Sequence, residues 1–259
     1  MVPHPISRRP IRRLRVARPR GLGRGMRGLG LSLLPLLMLA PAPASAGPWP
    51  RDKGHAFVSL SHEGSGTDDG WTALYAEYGL TPRWTLALDM GQSADKTTAL
   101  LIVQRAVGAQ DGPGRLAFSS GIGLETGPGS QAFGMMGAAW GRSLGTPLGP
   151  GWLAVEPQLR MGVALSEDWP PTLVLDVDGT LATTASAKLD VTLGATLRPG
   201  LIVMGQLLAE QQRDGEPRAR FVAAAVRSVG GRARLQLGLS TPVTGEGETA
   251  LKLGTWLEF

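Results

Sequence analysis

The chain ends on Leu251-Lys252-Leu253-Gly254-Thr255-Trp256-Leu257-Glu258-Phe259. Leu251, Leu253, Leu257 and Phe259 share one face of an extended chain, with Thr255 the exception, while Lys252, Gly254, Trp256 and Glu258 share the other. Such period-2 alternation specifies a strand with one apolar face. It runs to the final residue, where the chain of a soluble domain is usually polar and frayed. A strand needed down to its last residue suits a sheet that must close on itself.

The pattern recurs upstream. Leu74, Ala76 and Tyr78 alternate with Tyr75 and Glu77; after Gly79-Leu80-Thr81-Pro82-Arg83, Trp84, Leu86, Leu88 and Met90 alternate with Thr85, Ala87 and Asp89. This is a hairpin with one apolar side, and Pro82 fits its turn. Tyr78 and Trp84 fall on that side near the turn, where an aromatic girdle at a membrane interface would sit. Leu116, Phe118, Ile122 and Leu124, then Leu153, Val155, Leu159, Met161 and Val163, then Leu189, Val191, Leu193, Ala195 and Leu197, and finally Leu235, Leu237 and Leu239, oppose polar or small residues. Seven clear strands are thus predicted over 71–79, 84–91, 115–125, 151–164, 187–197, 233–240 and 250–259. Five segments of ambiguous facing, 55–63, 98–108, 131–142, 201–212 and 218–229, bring the number to twelve. Their lengths match the roughly 9–11 residues of a tilted membrane strand. The predicted fold is all-β, a transmembrane antiparallel β-barrel over residues 47–259.

An even number of strands puts both chain ends on one side, whose connections should be short. Leu80 to Arg83, Ala109 to Gly114, Arg198 to Gly200 and Gly230 to Arg232 are short, whereas Ser143 to Pro150 is longer than that rule expects. The opposite side carries Gly64 to Gly70, Gln92 to Thr97, Thr126 to Ser130, Ser166 to Ser186, Arg213 to Pro217 and Thr244 to Glu248, rich in loop-forming residues.

Residues 1–46 contain nine Arg and no Lys, Asp or Glu, then the apolar run Leu29 to Ala40 and Ala44-Ser45-Ala46. A basic region, a short apolar core and a small-residue cleavage site make a secretory signal peptide. Met26 opens a compact version of the same signal. With nine of the 26 basic residues in this leader, 17 remain against 21 acidic ones, so the mature chain carries −4 rather than +5. The basic balance therefore gives no ground for a nucleic-acid partner. The absence of Cys rules out disulfides and thiolate metal sites.

Leu173-Val174-Leu175-Asp176-Val177-Asp178-Gly179-Thr180-Leu181 is similar to the first motif of haloacid-dehalogenase-type phosphatases. That resemblance would make Asp176 a nucleophile and Asp178 an acid/base beside a magnesium ion. The family's alternating strands and helices are missing from the strand-patterned remainder, so the segment is read as a loop hairpin with Asp178-Gly179 as its turn. His55 and His62 belong to no catalytic signature, and no metal-ligand cluster has sensible spacing. A non-enzyme without cofactor or metal is expected.

Residues opposite the apolar faces form the candidate lumen: Glu77, Asp89, Glu125, Glu156, Gln158, Arg160, Lys188, Asp190, Gln206, Glu210, Gln236 and Lys252, with Glu258 near the end. Lys252, Gly254, Leu257 and Phe259 resemble the carboxy-terminal signal read by the outer-membrane barrel assembly machinery. Tyr75 to Leu86, with Leu251 to Phe259, resembles the phenol-degradation MetA-pathway type transporters of the Gram-negative outer membrane. That resemblance implies a twelve-stranded barrel in outer-membrane lipid, passing small, partly apolar solutes. The expectation is a narrow channel. The competing class is a non-transporting structural or surface-interaction barrel with a plugged lumen, and after it a lipid-modifying barrel enzyme.

Overall fold

The computed structural model describes residues 47–66, 70–168, 170–213 and 215–259; the expected leader, residues 1–46, lies outside the described residues. Twelve strands follow one another: β1 (Ala56–Gly64), β2 (Trp71–Thr81), β3 (Trp84–Gln92), β4 (Thr97–Val107), β5 (Gly114–Thr126) and β6 (Gln131–Thr146), then β7 (Gly149–Ala164), β8 (Thr183–Arg198), β9 (Leu201–Gln212), β10 (Arg218–Gly230), β11 (Ala233–Thr244) and β12 (Ala250–Glu258). Each pairs antiparallel with its chain neighbours, and β12 pairs with β1 to close the barrel. At the seam Phe259 N–H donates to Ala56 O at 2.9 Å and Ala56 N–H to Phe259 O at 3.2 Å. The alternation that ends the sequence is thus spent on abolishing a sheet edge.

The predicted facings hold in all seven clear strands. Ile122, Met136, Met161, Leu237 and Phe118 stand on an exterior made largely of exposed aliphatic and aromatic side chains. Tyr78, Trp84 and Trp140 also point outward, on the side of the short turns, and the Arg105 guanidinium lies 5.4 Å over the Trp84 ring. Pro157, mid-strand in β7, coincides with a break in the β6–β7 ladder, which is paired up to Gly137↔Gln158 and again from Trp140↔Val155. A residue without an N–H cannot complete that ladder.

Three expectations are corrected. The connection expected from Ser143 to Pro150 is only Pro147-Leu148, because β6 runs to Thr146 and β7 starts at Gly149. Ser143-Leu144-Gly145-Thr146 carries no apolar alternation, so backbone pairing and not side-chain pattern extends the strand. The inner face is also not confined to polar or small residues. Phe57, Trp152, Ala154, Ile202, Val226 and Trp256 form one buried cluster, and Ala87, Leu100, Ile102, Phe133 and Met135 a second, with Tyr75 beside both. Much of this barrel is packed like a protein core.

The excursion after β7 ends at Ala182, earlier than expected, since β8 begins at Thr183. It forms a small hairpin held by the bridges Leu165↔Leu173 and Leu175↔Leu181. Asp176 closes its turn: Oδ1 accepts from Asp178 N–H (2.9 Å) and Thr180 N–H (3.1 Å), and Oδ2 from the Thr180 hydroxyl (2.7 Å). Gly179, at φ 73°, supplies the left-handed position. The Asp176 carboxylate is thus occupied as a turn cap. The Thr180 hydroxyl first, then the Thr180 and Asp178 amides, hold its carboxyl below the usual carboxylate range. A depressed folded-state value stabilises the turn above the free-chain value, about 3.9, and that contribution is lost as pH falls through the folded value. Thr180 amide protection, corrected for intrinsic exchange, should therefore hold from neutral pH to about 5 and fall only below about 4. In Asp176→Ala it should be absent throughout; protection that ignored both acid and the substitution would show that the carboxylate is idle.

Candidate functional site

The barrel interior gathers most of the expected residues around two cavities. The first, of about 330 Å³, is lined by Asp89, Glu156, Gln158, Asp190, Gln206, Gln236 and Lys252 among the expected set. The alternation of β3, β7, β8, β9, β11 and β12 places them there, each strand contributing every second side chain. Ser59, Tyr75, Gln104, Ser119, Thr192 and Trp256 are among the other residues of its wall. The second, of about 370 Å³, lies toward the long loops and includes Glu125, Arg160 and Glu210, with Lys96, Gln131 and Arg213. Lys188 borders neither cavity; it sits opposite Glu210 in the β8–β9 register.

Ion pairs bind the walls together. Lys96 Nζ meets Glu125 Oε1 at 2.7 Å, Arg220 meets Glu63 at 2.6 Å, and Lys252 Nζ approaches the other oxygen of Glu63 at 3.6 Å. Arg234 pairs with Glu258 at 3.2 Å near the short turns. Arg160 stacks 5.2 Å over the Phe133 ring, its Nε without a partner among the described residues. Gln236 accepts from Trp256 Nε1 at 2.9 Å. Among the side chains lining the first cavity the carboxylates of Asp89, Glu156 and Asp190 outnumber the one lysine, Lys252.

Glu77 has a different place. It is buried, accepts from the Tyr75 hydroxyl at 2.7 Å, and pairs at 2.5 Å with Arg51. Arg51 belongs to a segment ahead of β1 that runs inside the barrel. Its N–H donates to Thr85 Oγ1 at 3.1 Å and its guanidinium lies 4.5 Å over the Phe57 ring. Pro48 is fully buried, Trp49 packs on the Phe57–Trp256 cluster, and Gln104 Nε2 donates to Gly47 O at 2.7 Å. Gly54 N–H donates to Gly79 O, and Gly79 N–H to His55 O. Glycines make room: a β-carbon at Gly141 would strike Pro48 and Trp49, and one at Gly79 the Asp52 carbonyl. Sequence reading missed this segment, because two prolines in Gly47-Pro48-Trp49-Pro50-Arg51 erase any strand pattern. The available signal was Trp49, three residues past the expected cleavage site.

Among the expected assembly-signal residues, Leu257 and Phe259 are exposed on the outer face, while Lys252 and Gly254 face inward. His62 is exposed and meets Thr72 Oγ1 at 3.0 Å. Among the described residues no group of His, Asp or Glu has metal-ligand geometry.

No protein-family model matches the chain, and no curated protein matches it in sequence. Solved structures do match. The NanC porin aligns at TM-score 0.54 and 9% identity over 78% of this chain and 98% of the porin. A KdgM porin in complex with disordered oligogalacturonate aligns at 0.53 and 9% over 78% and 99%. An outer-membrane channel from Pseudomonas putida F1 aligns at 0.50 and 14% over 84% and 99%. At these identities the likeness is one of fold: the chain has the closed antiparallel β-barrel architecture of porins.

Proposed function

We propose that this chain is exported by a cleaved leader, inserted in the outer membrane through its carboxy-terminal strand, and acts there as a narrow channel for small, partly apolar solutes. The observation that carries the reading is a cavity lined by carboxylates, amides and aromatic rings, enclosed by a barrel whose exterior is apolar. An apolar exterior of that extent is untenable in water and suits lipid. The porin fold and the likeness of Tyr75 to Leu86 to MetA-pathway type transporters support it. The excess of carboxylates over lysine at the first cavity favours cationic or neutral solutes over anions.

Conductance of the purified protein in a planar bilayer tests the reading. Discrete, cation-preferring steps are expected. Asp89→Asn should shift the reversal potential toward anions, and Arg160→Ala toward cations. A unit charge 4 Å from a permeant ion in water is worth about 1 kcal/mol, so each change should be at most about fivefold in relative permeability. One observation favours the second reading, a plugged and non-transporting barrel: the segment before β1 and the rings of Phe57, Trp152 and Trp256 fill the lumen toward the short turns. Silence from folded protein would decide for it.

A further inference from the structure

Gly47 is the residue that follows Ala44-Ser45-Ala46, and its backbone is held inside the barrel. Gln104 donates to its carbonyl at 2.7 Å, and a β-carbon built on it would lie 2.5 Å from Glu156 Oε1. The Gly47 nitrogen shares that Cα, which by standard backbone geometry bounds its distance from the carboxylate oxygen at about 5 Å. Among the described residues no lysine or arginine forms an ion pair with Glu156; Arg51 pairs with Glu77 and Lys252 with Glu63. Glu156 shares its cavity with Asp89 and Asp190. Confined negative charge of this kind is costly unless a cation meets it.

We propose that hydrolysis of the Ala46–Gly47 bond by a signal peptidase supplies that cation: the new α-ammonium group of Gly47 pairs with Glu156 and seats residues 47–54 as a plug of the lumen. The amide C–N bond breaks and one water is consumed. Its oxygen leaves on Ala46 as a carboxylate, and its two hydrogens convert the Gly47 N–H into an ammonium. A neutral amide with one donor thereby becomes a full charge with three, in front of an acid that pairs with no lysine or arginine among the described residues. Glycine suits the position twice over, since its φ is +111° and any side chain would strike Glu156. Removal of the leader and seating of the segment against the inner wall are then one event. The inference rests on export through a cleaved leader and not on whether the lumen conducts.

The test is chemical. Mature protein in detergent is treated with an amine-acetylating reagent at pH about 7.5, where a free α-amine of pKa about 8 outreacts a lysine of about 10.4, and labelling is followed by peptide mass spectrometry. The expected amino terminus is Gly47. Its amine should label at least about tenfold more slowly than that of exposed Lys53, because reaction needs a local opening. Glu156→Gln and Gly47→Val should each abolish the protection while leaving the barrel's heat-modifiable gel mobility intact. If Glu156→Gln fails to fold, Gly47→Val decides, since it alters no strand. Another amino terminus, an α-amine that outreacts Lys53 in the unaltered protein, or protection that survives in both variants overturns the proposal. A protected amine in a barrel silent in bilayers would sink the channel reading and leave the plug standing.

Discussion

Replacing Trp256 by alanine is expected to destabilise the barrel by about 3–5 kcal/mol, the range for truncating a buried aromatic ring. Trp256 lies next to the closing seam, opposite Ser59 in the β1–β12 register. Its ring meets Phe57 edge-on at 5.8 Å and 75°, and its Nε1–H is the donor to Gln236 Oε1. Alanine would remove the ring, vacate a space bordered by Phe57, Trp152 and Val226, and strip a buried amide of its donor. Water entering from the first cavity could solvate Gln236, which pulls the effect toward the lower end. Trp256→Phe helps separate the contributions: it keeps an aromatic ring beside Phe57 and loses the hydrogen bond together with part of the indole's packing, for about 1–3 kcal/mol. Denaturant unfolding in lipid vesicles measures both, as a midpoint shift at unchanged slope. A cost under about 1 kcal/mol for alanine would mean that the cluster is loosely hydrated lumen and not core.

That cluster also explains which strands the sequence discloses. Period-2 patterning is legible where the two faces meet different surroundings, as in β5, whose Ala117, Ser119, Gly121 and Gly123 face in while Phe118 and Ile122 face out. In β4 the inner Leu100 and Ile102 are as apolar as the outer Leu101 and Val103, because the inner pair packs against Phe133 and Met135. β10 is ambiguous for the same reason, with Val222 and Val226 wholly buried inside and Phe221 and Val229 exposed outside. A dry lumen erases the signal that a wet one writes. The charged candidates were readable as an inward set. Their division between two cavities was not, since it depends on height along twelve tilted strands. The segment ahead of β1 was illegible for a further reason: Gly47 to Asp52 has no local pattern, and the contacts that place it come largely from distant residues, Glu77, Thr85, Gln104 and Gly141.

Met136→Arg bears on the one assignment that interior geometry leaves untouched, the medium around the barrel. Met136 is 71% exposed, pairs with Ser120 and Leu159, and stands well inside β6. In water an arginine there would change stability by no more than about 0.5 kcal/mol, since no neighbour is lost or crowded. At the midplane of a bilayer it should cost about 2–4 kcal/mol, and at the interface about 0–1. Tyr78→Arg, beside the short β2–β3 turn on the same outer face, is the matched control for the interface. Unfolding from phospholipid vesicles should therefore separate the two variants by about 2 kcal/mol or more, with Met136→Arg the weaker protein. Equal, negligible costs would mean that the apolar exterior faces something other than lipid, and the outer-membrane assignment would fall whatever the lumen contains. A large cost at Met136 with a small one at Tyr78 would fix the depth of the barrel in the membrane and place the Tyr78–Trp84 girdle at its boundary.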